Sequence, residues 1–220
     1  MFDRASLSEQ VEESFLEEIS SGRLRPGQKI DVGHYQRAWR VSVTPLRDAF
    51  RALEAKGYVT IAPRRGVYVS SIDLERLRDI FELRIALECH AIELAAARAP
   101  DGVAAVIRAS YERARASLAA GDATEASAVD RLVHEFAQEH CGVTAIRDLI
   151  AAHTDLIHWA QSVLISRRPG AFGEAMPEHI EIITAAERRD GETARRAMRT
   201  HLRNSLKRLE EKMEEPEMSR

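Results

Sequence analysis

Residues 41–69 read VSVTPLRDAFRALEAKGYVTIAPRRGVYV. Thr44 stands directly before Pro45, the arrangement that opens a helix. The threonine is expected as the N-cap and the proline at the first helical position, where its missing N–H has no partner to lose. Leu46, Ala49, Phe50 and Leu53 then recur at helical spacing, so the stretch 45–56 is expected to be a helix with that face inward. Gly57 ends it. Tyr58-Val59-Thr60-Ile61 and Val67-Tyr68-Val69 are rich in β-branched and aromatic residues and flank Ala62-Pro63-Arg64-Arg65-Gly66. Two such runs about a Pro/Gly loop predict a hairpin with a basic tip.

Upstream, Ser6 and Glu9 have capping-box spacing, and Val11, Phe15, Leu16 and Ile19 make an apolar stripe, which predicts a helix over 6–21. Gly22 stops it, Pro26-Gly27 marks a turn, and 32–39 is a short second helix. Three helices followed by a basic-tipped hairpin is the winged helix-turn-helix layout. In that motif the second helix of the pair enters the major groove with its N-terminal residues at the base edges. Ser42 and Thr44 would offer hydroxyls, with free N–H groups, to phosphate oxygens. Arg47 on the first turn suits guanine or a phosphate, and Arg51 follows on the same face. Arg64 and Arg65 at the hairpin tip suit a minor groove. Each residue alone also has a plain role as a cap, a solvated helix face or a basic loop; it is their joint placement that points to DNA.

The net charge of −3 conceals an asymmetry. Residues 21–70 hold ten Lys or Arg against Asp31, Asp48 and Glu54, whereas 71–220 hold 21 basic and 26 acidic side chains. A basic module joined to a mildly acidic one fits a nucleic-acid binder carrying a second domain. The boundaries expected are 1–70 and 71–220, jointed at Ser70-Ser71.

After Asp73 there is no strand signal. Helices are expected over 74–98, 102–120, 123–141, 144–167, 174–189 and 191–214, broken by Pro100-Asp101-Gly102, Gly121-Asp122, Cys141-Gly142, Arg168-Pro169-Gly170 and Asp190-Gly191. Short loops between amphipathic helices predict an antiparallel bundle. The charged tail from Glu210 is expected to fray. The fold class is therefore mainly α: an N-terminal winged helix-turn-helix, then an all-α antiparallel helical bundle.

Seven of the eight histidines follow Cys89. Asp130 and His134 are four apart and would share a helix face. His179 lies eleven residues before Asp190 and His201 ten after Gly191, so on an antiparallel hairpin about that turn they would meet at the same height. One Asp and three His from three helices would suit a divalent metal; solvated or hydrogen-bonded histidines are the alternative. Arg84 shares a face with Leu77, Ile80, Phe81 and Glu88 and needs an anionic partner there. Glu88 is one candidate.

The stretches ISSGRLRPGQKI and VSVTPLRDAFRALEAKGYVTIAPRRGVYV resemble the GntR family of bacterial regulators: Pro-Gly after the first helix, Val-Ser-x-Thr-Pro-x-Arg-Asp-Ala, then a glycine-containing wing. That resemblance implies DNA contacts from Ser42, Thr44, Arg47, Arg65 and Gly66. Two positions depart from the pattern: Val43 stands where many members carry arginine, and Arg40 where the turn glycine is usual. ELRIALECHAIELAA, DRLVHEF and EHIEIITAAERRDGETARRAMRTHL resemble the FCD ligand-binding domain of the FadR subfamily. This implies Asp130, His134, His179 and His201 as metal ligands, and Arg84 as the residue that binds an effector carboxylate. His140-Cys141-Gly142 departs from the family, where an asparagine is common.

No signal peptide and no apolar run near the ~20 residues of a membrane span is visible, and the two cysteines form no motif, so a cytoplasmic protein is expected. The expected function is a homodimeric, DNA-binding transcriptional regulator. Its partners would be double-stranded operator DNA and a small organic-acid effector, and its cofactor a divalent metal ion, zinc foremost, with nickel or manganese as alternatives. A regulator with a metal-free pocket is the nearest rival. A helical metalloenzyme is disfavoured because no general base, nucleophile or cofactor loop is apparent.

Overall fold

A computed structural model describes residues 6–71, 73–122, 124–152, 159 and 173–214. Their packing divides them into two compact units, one running to Asp73 and taking in Trp159, the other beginning at Leu74.

The first unit opens with α1 (Leu7–Ser20), whose capping box is closed by Ser6 and Glu9. A two-residue strand, β1 (Lys29–Ile30), follows; it is too short for any alternation to be read from sequence. Then come α2 (Val32–Trp39) and α3 (Val43–Lys56). The wing is β2 (Val59–Ala62) and β3 (Gly66–Val69). The sheet is antiparallel in the order β1-β3-β2, with Lys29 opposite Tyr68 and Thr60 opposite Tyr68 on the other side. Phe15 is fully buried at the centre, its ring 4.8 Å from Tyr35 and 4.7 Å from both Trp39 and Phe50. Leu46 and Leu53 complete this core from α3.

One expectation is corrected here. The N-cap of α3 is Ser42, and Thr44 and Pro45 lie inside its first turn. The first-turn N–H groups have no intrahelical acceptor, so Pro45 is tolerated there as well as at the opening position. Arg40 takes the left-handed conformation, φ 54°, at the end of α2. A side chain at this corner carries a conformational cost of about 1 kcal/mol that glycine would not.

The second unit is helical throughout its described residues: α4 (Leu74–Arg98), α5 (Val103–Ala119), α6 (Thr124–Val129), α7 (Leu132–His140), α8 (144–152), α9 (Met176–Glu187) and α10 (Gly191–Glu214). Helix α10 packs along α4 and α9, α7 lies on α4, and α5 lies on α9. The start of α10 comes so close to α4 that a Cβ at Gly191 would stand 2.9 Å from the Glu93 carbonyl oxygen.

The helix expected over 123–141 is broken at Asp130-Arg131. A continuous helix would spend the Val133 N–H on the Val129 carbonyl; it is donated instead to the buried Tyr111 hydroxyl at 3.0 Å. The chain restarts on Arg131, whose carbonyl accepts from His134 and Glu135. Residues 153–167 of the helix expected over 144–167 lie outside the described residues, Trp159 excepted. The last helix ends where it was expected to, and residues 215–220 of the tail lie outside the described residues. Leu209 is buried, Glu210 meets Arg78 at 2.6 Å, and α10 runs to Glu214. Both cysteines are free and buried.

Candidate functional site

Two sets of side chains stand out, one in each unit. In the first, Ser42, Thr44, Arg47 and Arg51 are all exposed on α3, and the Ser42 hydroxyl makes no capping bond. The apolar face of α3, buried through Leu46, Ala49, Phe50 and Leu53, turns the arginines outward. Val43, at the same helix start, is 47% exposed. At the wing, Arg64 and Arg65 are exposed, with Arg64 at φ 64° and Gly66 at φ 117°. Gly66 also faces the Lys29 stem, where a Cβ would meet Cε at 3.0 Å. Lys29 thus joins the basic wing through β1, a neighbour that sequence reasoning did not single out.

In the second unit, α7, α9 and α10 bring His134, His179 and His201 together, all buried. His201 Nε2 lies 3.3 Å from His179 Nε2 and 3.2 Å from His134 Nε2. The antiparallel hairpin read about Asp190-Gly191 accounts for the first of these distances. Behind the rings stand carboxylates. Glu88 Oε2 accepts from His134 Nδ1 at 2.5 Å, and Glu178 Oε2 accepts from His201 Nδ1 at 2.8 Å. With Nδ1 hydrogen-bonded outward on two rings, their Nε2 atoms face the shared centre. Asp130 stands apart from this cluster. Its Oδ1 is 4.0 Å from His179 Nδ1, beyond hydrogen-bond reach, and a turn at Asp130-Arg131 separates it from the helix that carries His134.

The electrostatics are those of ligands held ready. Burial, reinforced by the neighbouring His201 and His134, holds His179 well below the ordinary imidazole range. Burial likewise lowers His201 to about 4, against the opposing bond to Glu178. Burial pushes the Asp130 carboxyl up. For Glu178 burial is outweighed by hydrogen bonds from His201, Arg208 and Asn204, which bring it to about 2. For Glu88 it is outweighed by Arg84 and His134, and the carboxyl lies far below its usual range. Arg84 donates its Nε–H to Glu88 Oε1 at 2.5 Å, so the internal ion pair considered from sequence is present. Glu178 carried no signal beyond its place beside His179; its partners Asn204 and Arg208 come from across the hairpin.

These residues fit a divalent cation. Ring nitrogens this close must share either a proton or a cation between them, and a divalent cation can serve all three rings at once. Imidazole nitrogens at about 2.0–2.1 Å from zinc would stand roughly 2.8–3.4 Å apart for angles between octahedral and tetrahedral; the two separations from His201 Nε2 fall in that interval, and the ligand atoms of all three rings lie within 4.8 Å of one another. Carboxylates on the outer nitrogens of ligating histidines are the usual support for such a centre.

A basic three-helix head with a hairpin wing, followed by a helical unit with a buried polar centre, defines a transcriptional regulator of the winged helix-turn-helix class. Residues 7–69 match the model of bacterial regulatory proteins of the gntR family, and residues 79–204 match the FCD domain. The chain belongs to the GntR family of bacterial regulators and carries an FCD domain. It is similar to the HTH-type transcriptional regulator YdhC of Bacillus subtilis, 24% identical over 90% of this chain and 88% of that one. It is also similar to the HTH-type transcriptional repressor RspR of Escherichia coli, 25% identical over 81% and 78% of the two chains. Among solved structures, McbR/YncC of Escherichia coli shares the fold with TM-score 0.72 at 20% identity, covering 96% of this chain and all of the other. No described helix is long and apolar enough to cross a membrane.

Proposed function

We propose that this chain is a homodimeric regulator whose operator affinity is set by a small carboxylate-bearing metabolite bound beside a divalent metal in the helical unit. GntR-type regulators bind operator DNA; in this reading Ser42, Thr44, Arg47, Arg51, Arg64, Arg65 and Gly66 make the contacts. His134, His179 and His201 hold the metal, and Asp130 is the fourth ligand, its carboxylate moving nearer than the 4.0 Å now separating it from His179. Zinc is the foremost candidate for this nitrogen and oxygen set, with nickel and manganese next. When bound, the metal offers a coordination position to a carboxylate oxygen, and Arg84 binds the ligand's other end. The observation that supports the reading is the placement of His134 Nε2 and His179 Nε2 at 3.2 and 3.3 Å from the buried His201 Nε2, with the ligand atoms of all three rings within 4.8 Å of one another.

Elemental analysis of protein never exposed to chelator or to a histidine tag tests it. About one zinc, nickel or manganese per chain supports the reading. If the ion is missing and cannot be restored by adding any of the three, the pocket is metal-free. A duplex selected from a random library by the intact protein, retained with the metal and changed in affinity when it is removed, ties the centre to DNA.

A further inference from the structure

We infer that Glu88 is a positioning residue of the histidine centre, fixing the proton of His134 on Nδ1 so that Nε2 is left to bind metal. The inference rests on the metal reading above and adds to it a residue outside the ligand set. Glu88 is wholly buried, with no exposed surface. Its two oxygens serve different partners: Oε1 accepts from Arg84 Nε and Oε2 from His134 Nδ1, each at 2.5 Å. A guanidinium can only donate, and the carboxylate beside it can only accept. The proton between Glu88 and His134 is therefore on the ring, at Nδ1. A neutral imidazole carries one such proton, so Nε2 keeps its lone pair, and that nitrogen faces His201 Nε2 at 3.2 Å.

Glu178 holds His201 in the same sense but shares its oxygens with Asn204 and Arg208, and its side chain is 20% exposed. Water can stand in for it. Glu88 is sealed, and nothing can replace it. Glu88→Gln is nearly isosteric but supplies only one acceptor where two donors wait. Arg84 cannot become an acceptor; His134 can, by moving its proton to Nε2. The amide oxygen then turns to Arg84, the amide NH₂ donates to Nδ1, and the lone pair needed by the metal is lost. The substitution is thus expected to act through the tautomer of a residue on another helix, with little strain on α4 itself.

The test uses the full chain as wild type, Glu88→Gln, and Glu82→Gln, an exposed glutamate on the same helix that makes the same change of net charge. Two-bond nitrogen–proton NMR spectra of the metal-free proteins report which ring nitrogen of His134 carries the proton. Zinc affinity is measured by competition with a chromophoric chelator, and cobalt uptake by its visible absorption. The expected result is Nδ1–H in wild type and Nε2–H in Glu88→Gln, with zinc affinity lowered roughly 10–100-fold and unchanged in Glu82→Gln. Nε2–H in the wild type overturns the inference without any variant, so a misfolded Glu88→Gln cannot rescue it. Equal zinc affinity for wild type and a folded Glu88→Gln overturns it and leaves the metal reading standing. A wild type that takes up neither zinc nor cobalt overturns both.

Discussion

The Nε2 atoms of His134 and His201, 67 residues apart in the chain, stand 3.2 Å from each other in a buried centre, each ring backed at Nδ1 by a glutamate. Two buried acceptors held this close without a shared proton or cation are unfavourable. Replacing His179 and His201 together with alanine is therefore expected to abolish zinc binding. Ellipticity of the first unit and duplex binding at saturating protein should survive, while any response of DNA affinity to zinc disappears. Equal metal content in wild type and double variant, by elemental analysis, would refute it.

Acid should destabilise the metal-free protein over a defined window. Folded His201 has its pKa lowered to about 4 from 6.5, and burial holds His179 well below 6.5 as well. Below pH 6.5 the unfolded chain binds protons that the folded chain refuses, so unfolding becomes easier as pH falls. Each histidine contributes a slope of up to about 1.4 kcal/mol per pH unit until its folded pKa is reached. Glu178, held at about 2, and Glu88, held down by Arg84 and His134, act in the same direction from pH 4.5 downward. Urea titrations from pH 7.5 to 4 should show the midpoint falling continuously, and saturating zinc should resist the fall. A flat profile between pH 6.5 and 5 would contradict the neutral histidines.

Tyr111→Phe should cost about 1–3 kcal/mol, because it leaves the buried Val133 N–H without its acceptor. The lost hydroxyl is also the acceptor of the Val133 N–H at the α6–α7 break, one residue before His134. Zinc affinity should drop with stability. Thermal unfolding and chelator competition on one preparation check both; a fully stable variant would remove Tyr111 from the account of the α6–α7 break.

In the first unit, Arg47→Ala is expected to weaken binding to a library-selected duplex by ~1–3 kcal/mol if Arg47 reads a base, and to relax the preference at one position. Binding should fall steeply with salt, since phosphate contacts release counterions. Val43→Arg would add a cation at the exposed start of α3 and should steepen that slope by about one. Fluorescence anisotropy between 50 and 300 mM salt (conditions chosen to span the ~8–10 Å Debye length) reads all three. Unchanged affinity for Arg47→Ala would exclude that residue from the interface.

Sedimentation at micromolar concentration is expected to give a species of two chains. One small winged head cannot grip both halves of a pseudo-palindromic site. A single-chain species that nevertheless binds the selected duplex tightly would argue against symmetric recognition.

Much of this protein was legible in local chemistry. The Ser6–Glu9 box, the Pro45 helix start, the Gly57 stop and the Pro/Gly-centred hairpin are interactions between residues a few positions apart, and they set α1, α3 and the wing to within two residues. The pairing of His179 with His201 was legible too, because a short turn between two long helices leaves their heights nothing else to obey. Tertiary structure alone decided the rest. The two-residue β1 exists because β3 offers it a partner. Asp130 and His134 fall on either side of a helix break, where the Tyr111 hydroxyl, nineteen positions before Asp130, accepts the Val133 N–H that the expected helix would have used. Glu88, Glu178 and Arg208 joined the histidine centre through packing of α4, α9 and α10, and which nitrogen of each ring faces inward follows from those carboxylates. Hydrogen bonds between distant residues have no period and no spacing in the sequence; they appear only when the helices that carry them are laid side by side.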